Sequence, residues 1–550
     1  MKNPWLSLKQ EIAKELGAKI EETEEPDNFG DFAYACFSLA KETKRNPNEI
    51  AKELAEKIKM KFIEKVNAIG PYVNFYINWP EFTQEILKSV DKKYGSCEEK
   101  ETVMMDVFQP NPFKPFHIGH IRNAVIGESI RRLLEFCGKK TIAVSYMGDI
   151  GTHVAKWFWY FNNFYKGEIP KENVSKWAGE IYSKATQKME EKEEYEKEVQ
   201  EINRKLDSKD KKLMKAWKKL RDLCLEDFWK IQKELDVHLD GHFYESESEI
   251  VGKSMVNDLI KKGVAEVSEG APVINLEKYG LGVFLLMKSD GTSLYSTKDL
   301  GLYELKRKKY KFDKSVFIVA AEQDFYFKQL FKVFEVLNLP GWEKNIHISF
   351  GLVTLKEGKM SSRYGTIILY EDLRDEMIKK ILDEIEKKNP DLKDKYEIAK
   401  KIAFGAIKYS MLDIDNDKPI KFDWEQVLDI EGRSGPYLQY SLVRALSILK
   451  KAKIERYDPS LLKEDIELKL IKKLAKFPNI IKNAAAQYSP NILTTYLFEL
   501  AQDFNSFYQS LPVLKAEKEL KKARLKLVEA FTIVIKSGLN LLSISILEKM

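Results

Sequence analysis

Cysteine, histidine and net charge are all scarce in this chain. Four cysteines among 550 residues (Cys36, Cys97, Cys137, Cys224) lie far apart with no C-x-x-C pair. That excludes a disulfide-stapled secreted fold and disfavours zinc knuckles, so no zinc is expected. No run approaches the ~18 uncharged apolar residues that span a bilayer. The start, Met1-Lys2-Asn3-Pro4-Trp5, leads into a charged amphipathic helix, not the apolar core of a signal peptide. Lys+Arg number 91 against 85 Asp+Glu in a chain that is 32% charged. Any nucleic-acid contact must therefore come from local patches and not from global charge. What is plentiful is apolar mass, 44% hydrophobic and 12% aromatic residues, enough for the three or four domains that the length suggests at about 150 residues each. A multidomain, cytoplasmic protein with no membrane segment and no structural metal is expected.

Three regions differ in texture. Residues 1–95 read as a small α/β unit, with helical periodicity over 6–16 and 50–62, turn chemistry at 26–31 and an alternating strand at 72–77. Region 101–395 opens with a short apolar strand, a Pro/Asn-rich loop, a helix stopped near Gly138 and a second strand at 141–146. That order is the opening of a parallel nucleotide-binding sheet. Residues 155–240 read as a charged helical insertion, after which strand-like runs at 272–274, 282–286, 315–319 and 348–353 are expected to continue the sheet. Residues 396–550 read as all-helical, with no later strand. The predicted class is multidomain α/β: a Rossmann-type parallel core with a helical insertion, between a small N-terminal α/β domain and a helical C-terminal domain.

Two of only six histidines sit three apart in Lys114-Pro115-Phe116-His117-Ile118-Gly119-His120, in the loop between the first strand and its helix. Backbone N–H groups and the helix dipole favour phosphate there. Imidazoles can donate to phosphate oxygens as charge shifts onto a leaving pyrophosphate, and Gly119 lets a flat adenine approach the backbone. Alone, the His-x-Gly-His tetrapeptide fits a simple helix cap equally well. A second loop, Gly358-Lys359-Met360-Ser361-Ser362-Arg363, follows the 348–353 run. It is not a Walker A loop, because Met360 occupies the Ser/Thr position. Its cations, facing the histidines, would neutralise triphosphate charge that grows in the transition state. Alone it too reads as an ordinary basic turn; the pairing of both loops in one sheet-like region favours nucleotide chemistry.

Together the loops resemble the HIGH and KMSKS signatures of class I aminoacyl-tRNA synthetases, and the wider chain resembles the arginyl-tRNA synthetases among them. Residues 108–123 are similar to that family's S-P-N-x-x-K-P-x-H-x-G-H-x-R pattern. Further likenesses are Gly148-Asp149-Ile150-Gly151-Thr152, Tyr295-Ser296-Thr297-Lys298-Asp299-Leu300 and Gly435-Pro436-Tyr437-Leu438-Gln439-Tyr440. Gly30-Asp31-Phe32-Ala33 resembles the signature of the family's extra N-terminal domain, and the likeness extends to Met550. Ser362 replaces the second KMSKS lysine, Gln109 stands where serine is usual, and Ser246 where the glycine of a Gly-Glu-Ser motif is common.

The resemblance implies an arginine–tRNA ligase. It would use ATP, as its Mg2+ complex, to activate L-arginine to the adenylate, then transfer the arginyl group to the 3′-terminal adenosine of tRNA(Arg). By resemblance, His117, His120, Lys114 and Lys359 stabilise developing charge, and Lys114 or Arg363 stands in for the missing lysine. Gly119, Met360, Ser361 and Arg363 join them around ATP. Asn111 would hold the α-amino end of arginine, and Glu247, Tyr295, Asp299 and Gln323 would surround its side chain. Such a slot suits a planar cation with five donors, which needs carboxylates and other acceptors. A site built to satisfy those donors rejects analogues lacking them by ~10⁴–10⁵, so no editing domain is required.

The resemblance also implies that domain 1–95 reads the tRNA D-loop, 101–395 is catalytic and 396–550 binds the anticodon. Tyr72 and Asn74, two apart on a strand, either share an RNA-reading face or belong to a half-buried strand. Tyr437 and Arg444 mark an early helix of the anticodon-binding region, and the basic run from Lys515 to Lys526 is either a phosphate contact or a solvated helix face. A monomer is expected. The alternatives are another class I synthetase, a small H-x-G-H nucleotidyltransferase, or a tRNA-binding relative that has lost activation.

Overall fold

The computed structural model describes residues 3–26, 28–356 and 368–550. Five parallel strands form its central sheet: β1 (Thr102–Asp106), β2 (Lys140–Met147), β3 (Gly241–Tyr244), β4 (Lys314–Ala320) and β5 (Asn345–Phe350). Their order is β5-β4-β1-β2-β3. β1 and β2 are near-continuous apolar runs because both faces are covered, and Val103, Met104, Met105, Ala143 and Val144 are fully buried. The chain builds outward from β1 to β3, then returns to the other side of β1 as β4. Strand order thus reverses between β1 and β4, and a crevice opens beyond their carboxyl ends, where open α/β sheets hold ligands.

Helix α1 (Ile118–Phe136) connects β1 to β2. It is buried on nearly all faces because it lies between the sheet and C-terminal helices. Four helices, α2 (Thr152–Asn163), α3 (Val174–Met189), α4 (Glu194–Asp207) and α5 (Lys211–Glu234), fill the predicted insertion around their own core of Trp157, Trp159 and Trp217. The strand β3 follows directly on this stretch and has no signature in the sequence, because Gly-His-Phe-Tyr carries no apolar run.

After β3, α6 (Glu245–Lys261) and α7 (Tyr295–Lys309) pack closely. A Cβ on Gly252 would lie 1.9 Å from the Thr297 carbonyl oxygen, and one on Gly301 equally close to that of Ser248. Runs 272–274 and 282–286 do not continue the main sheet. They lie in a separate three-stranded antiparallel sheet of Glu266–Ser268, Ala271–Asn275 and Val283–Leu285, since the short turns between them leave no room for a parallel crossover. Helix α8 (Asp324–Val336) joins β4 to β5.

The run 348–353 also splits. β5 ends at Phe350, and Val353–Leu355 pairs in parallel with Ile420–Phe422, a strand within the region expected to be wholly helical. Arg122, fully buried in α1, donates to the carbonyls of Gly351 (2.5 Å), Lys418 (2.8 Å), Asn416 (3.0 Å) and Asp415 (3.3 Å). One guanidinium thus ties both segments to the helix that carries the histidines.

The remaining chain is chiefly helical: α9 (Tyr370–Lys388), α10 (Lys395–Leu412), α11 (Gly435–Leu449), α12 (Asp465–Ala486), α13 (Pro490–Ser510) and α14 (Lys518–Leu541). Phe504 and Phe531 stack at 3.9 Å in its core. The end of α14 returns to α1, where Ser129 Oγ donates to the Leu541 carbonyl (3.0 Å) and Arg132 to that of Asn540 (2.8 Å).

In the N-terminal unit an antiparallel sheet of Thr23–Glu24, Phe32–Ala35, Ile63–Ile69 and Tyr72–Ile77 packs against helices Pro4–Glu15 and Pro47–Lys57. Asp31 accepts from the Ile77 N–H (3.0 Å) and pairs with Lys472 of α12 (3.0 Å), while Glu25 pairs with Lys476 (2.7 Å). Asp31 of the Gly-Asp-Phe-Ala signature is therefore a structural pin. Among the described residues, no helix is long and apolar enough to cross a membrane.

Candidate active site

The loop from Val107 to His117 leaves β1 and enters α1, held by two aromatic anchors. Phe113, at φ +71°, drops into the insertion core against Trp157 (5.2 Å between ring centres) and Phe158 (5.8 Å). Phe116 stacks on His120 (5.0 Å) and meets Phe228 and Tyr370. His117 caps α1: its Nδ1 accepts from the Gly119 N–H (3.2 Å), while His120 Nδ1 accepts from the His117 N–H (3.2 Å). With Nδ1 an acceptor in both rings, each neutral imidazole carries its proton on Nε2. Burial, with the Lys114 charge, lowers His117 to about 4; burial, with His117 and Lys114, pushes His120 well below the ordinary imidazole value. At neutral pH both rings are uncharged donors.

A cleft of about 610 Å³ lies over the crevice. On one side it is lined by Asn111, His117, Gly119 and His120, and on the other by Tyr295, Asp299, Gln323, Tyr326 and Glu245. Tyr295 and Asp299 are four apart on α7, about one turn, so both reach the same space. Burial pushes Asp299 up to about 7, opposed by the Tyr326 hydroxyl that donates to it (2.5 Å) and reinforced by the Glu245 charge. At the end of β1, Asp106 is buried with Lys306 (2.5 Å), and its Oδ1 has no partner among the described residues.

Asn111 Oδ1 accepts from the Gly148 N–H (2.9 Å). A Cβ on Gly148 would lie 2.4 Å from that oxygen and 3.1 Å from Glu245 Oε1, so only glycine lets the three meet. The neighbouring Asp149 accepts from Ser246 N–H (2.9 Å), Ser246 Oγ (2.8 Å) and Arg221 (3.1 Å). It thereby clamps the first turn of α6 and fixes the position of Glu245. Carboxyls at one end and neutral imidazole donors at the other suit a cationic side chain laid beside a nucleotide phosphate.

Residues 83–424 match the family described as tRNA synthetases class I (R), catalytic domain. The chain belongs to the arginyl-tRNA synthetases. Residues 7–77 match the arginyl tRNA synthetase N terminal domain and 438–550 the DALR anticodon binding domain. The arginine–tRNA ligase of Clostridium perfringens is 37% identical, over 99% of this chain and 98% of its own. That of Halothermothrix orenii is 35% identical over the same shares. The arginyl-tRNA synthetase structure of Thermus thermophilus superposes with a TM-score of 0.82 at 25% identity, covering 99% of both chains. As a class I synthetase the chain is an enzyme that uses ATP.

Within this synthetase the residues expected at the site do not all fall where the sequence reading put them. Asn111, His117, Gly119, His120, Tyr295, Asp299 and Gln323 line one cleft. Glu247 does not: it is exposed on α6, and Glu245 is the carboxylate in the cleft. Two overlapping Glu-Ser pairs made the register ambiguous, and residues two apart on a helix point about 200° apart. Lys114 lowers both histidines, yet it lines an adjoining pocket of about 310 Å³ together with Lys156, His153 and Lys298. Lys359, Met360, Ser361 and Arg363 lie outside the described residues.

Of the RNA candidates, Tyr72 is exposed and meets Phe37 edge-on (6.1 Å). Asn74 is buried and donates to the Asn67 carbonyl (3.4 Å), so it does not share an open face with Tyr72. Tyr437 is buried too, its hydroxyl accepting from Asn505 (3.0 Å). Arg444 donates to Asn505 (3.0 Å) and Tyr440 (2.9 Å), its guanidinium lying over Tyr440 and the exposed Tyr508. In the basic run, Arg524 is buried on Glu467 (2.7 Å), while Lys522 and Lys526 pair with Glu519 and Glu529. Asp106, Glu245, Tyr326 and Phe37 escaped the sequence reading. Asp106 stood in the apolar strand run, where alternation could have flagged an inward carboxylate.

Proposed function

We propose that this synthetase activates L-arginine with ATP and transfers it, through the arginyl-adenylate, to the 2′-hydroxyl of the terminal adenosine of tRNA(Arg). The observation that carries the reading is the convergence of Asp299, Glu245, Tyr295 and Gln323 opposite His117 and His120 in one cleft at the strand-order reversal. Arginine lies with its guanidinium toward Asp299, Glu245 and Tyr295, its α-amino end toward Asn111. Its carboxylate attacks the ATP α-phosphorus in line as pyrophosphate leaves. His117 and His120 donate from Nε2 to the phosphate oxygens, and Lys114 and Lys359 add positive charge. Gly119, Met360, Ser361 and Arg363 complete the ATP site. No side chain forms a covalent bond to substrate, so catalysis is positioning and electrostatics.

Mg2+ belongs to this reading as the companion of the triphosphate. Among the described residues no group of three His, Cys, Asp or Glu side chains could hold a metal, and Asp106 and Glu245 are each engaged by a lysine. The donor set therefore suits an ion carried in on the nucleotide, where it supplies charge neutralisation. Residues 1–95 bind the tRNA D-loop through the Tyr72 surface, 101–395 carry catalysis, and 396–550 bind the anticodon, with Arg444 between Tyr440 and Tyr508 offering a stacking platform. The working form is a cytoplasmic monomer.

The test is ATP–pyrophosphate exchange with each of the twenty amino acids, with and without tRNA containing the arginine acceptors. Exchange with arginine alone is expected. Exchange with another amino acid would overturn the arginine slot while sparing the histidine chemistry. No exchange, with tRNA still bound, would mark a binding protein that has lost activation.

A further inference from the structure

Lys298 stands in the wall between the two cavities. Its neighbour Asp299 faces the main cleft, whereas Lys298 itself lines the smaller pocket that holds Lys114, Lys156 and His153. Consecutive helical residues diverge by about 100°, which is how one turn of α7 serves both spaces. The Lys298 ammonium is almost fully buried, donates to Glu245 Oε2 (2.5 Å) and to the Ile150 carbonyl (3.3 Å), and lies 5.8 Å from the Tyr295 ring centre. Glu245 Oε1 is not the oxygen that Lys298 holds; it lies on the Gly148 side, 3.1 Å from where a Cβ on that glycine would stand. The carboxylate is thus divided: one oxygen is held by an internal cation on the pocket side, and the other is left for the cleft.

From this division we infer that Lys298 is a positioning residue for arginine: it keeps the buried Glu245 ionised and presents its Oε1 to the substrate cation. The inference rests on Glu245 being an arginine ligand. A buried carboxylate without a counter-charge takes up a proton, losing its negative charge and turning one oxygen into a donor, so it serves a guanidinium that only donates far less well. On balance Glu245 is raised above the ordinary carboxylate value, because burial outweighs the opposing charge; Lys298 is the largest influence holding it down, Asp149 adds to the rise and Lys114 opposes it. The other titratable groups facing it are Tyr295 and Asp299 on α7, Tyr146 on β2 and Tyr326 on α8. The Lys114 ammonium lies over the Tyr182 ring (5.8 Å), and among the described residues the ion pair of Glu245 is with Lys298. Among the described residues Lys298 alone supplies the contact charge.

The experiment measures arginine KM and kcat between pH 6 and 9, by pyrophosphate exchange with tRNA present, for Lys298→Met, Lys298→Arg, Glu245→Gln and the double variant. Lys298→Met is expected to raise arginine KM about tenfold or more, with kcat and ATP KM changed far less. Its KM should go on falling above pH 7, where the wild-type KM has levelled off, as the unpartnered Glu245 carboxyl loses its proton. Lys298→Arg restores both the KM and the wild-type pH profile. In the Glu245→Gln background Lys298→Met adds little, because its effect passes through the carboxylate. Additive effects in the double variant, or a lowered melting temperature with unchanged KM and pH profile, overturn the positioning role while leaving Glu245 as a ligand. Unchanged arginine KM in Glu245→Gln itself removes the ligand assignment on which the inference stands, a different failure read from a different variant.

Discussion

The two ends of the cleft solve the problem of polar groups in a dry site in opposite ways. At the histidine end the side chains are tied to their own backbone, Nδ1 to N–H, and burial leaves both rings neutral. At the carboxyl end each group is tied to a partner from a distant element: Asp106 to Lys306, Glu245 to Lys298, Asp299 to Tyr326. The first arrangement is local and needs only the start of one helix. The second needs the sheet, α6, α7 and α8 assembled together. A phosphate accepts from neutral donors, so the histidine end needs no charge; a guanidinium is always charged, so its end must hold negative charge in reserve.

The contrast can be broken at the histidine end by His120→Ala. It removes one Nε2 donor and is expected to lower kcat for exchange by about 10²–10³, with arginine KM nearly unchanged. A comparable rise in arginine KM would show that the two ends are not separate. At the other end Asp299→Asn should raise arginine KM by about 10². Because burial raises Asp299 to about 7, its folded value exceeds the unfolded one, and stability is lost as pH rises through 7. The same variant should therefore melt at a higher temperature than the wild type at pH 8, with the gain shrinking toward pH 6. A variant that melts lower at pH 8 would mean that the charge is well compensated after all.

The wild-type pH profile sharpens the same comparison with a smaller effect. Arginine KM should rise as pH falls below about 7, approaching tenfold per unit as Asp299 takes up its proton, while ATP KM stays flat because the histidines remain neutral throughout. The smallest effect concerns the N-terminal strand. Tyr72→Ala should weaken tRNA binding about fivefold without altering the melting temperature. Asn74→Ala should do the reverse, since Asn74 is buried on the Asn67 carbonyl. Equal losses of tRNA affinity would return Asn74 to the RNA face.

Much of this was legible early. The strand–loop–helix around His117, the all-helical insertion core and the one-turn spacing of Tyr295 and Asp299 follow from local periodicity, which survives in the sequence because neighbours in space are neighbours in the chain. The errors share another origin. Glu247 is expected from the resemblance, but Glu245 sits in an identical local pattern, and which of the two turns into the cleft depends on where α6 begins. Asp149 of the preceding turn decides that by binding Ser246. In the sequence Asn74 stays open between an RNA face and a half-buried strand, and Tyr437 reads as an RNA contact, because polar and aromatic groups on a strand or helix carry no mark of what covers them; Asn67 and Asn505 do so from elsewhere.

The amino-acid order by itself therefore determined the kind of sheet, the strand–loop–helix that carries His117 and His120, and the family, because these are written in spacing and in residue types that few other folds tolerate. Which carboxylates face the cleft was decided only by the tertiary structure. The close approach of α6 and α7, allowed by Gly252 and Gly301, brings Glu245 and Lys298 together across 53 residues of chain. Burial of charge is a property of the assembled interior, and no stretch of sequence contains it.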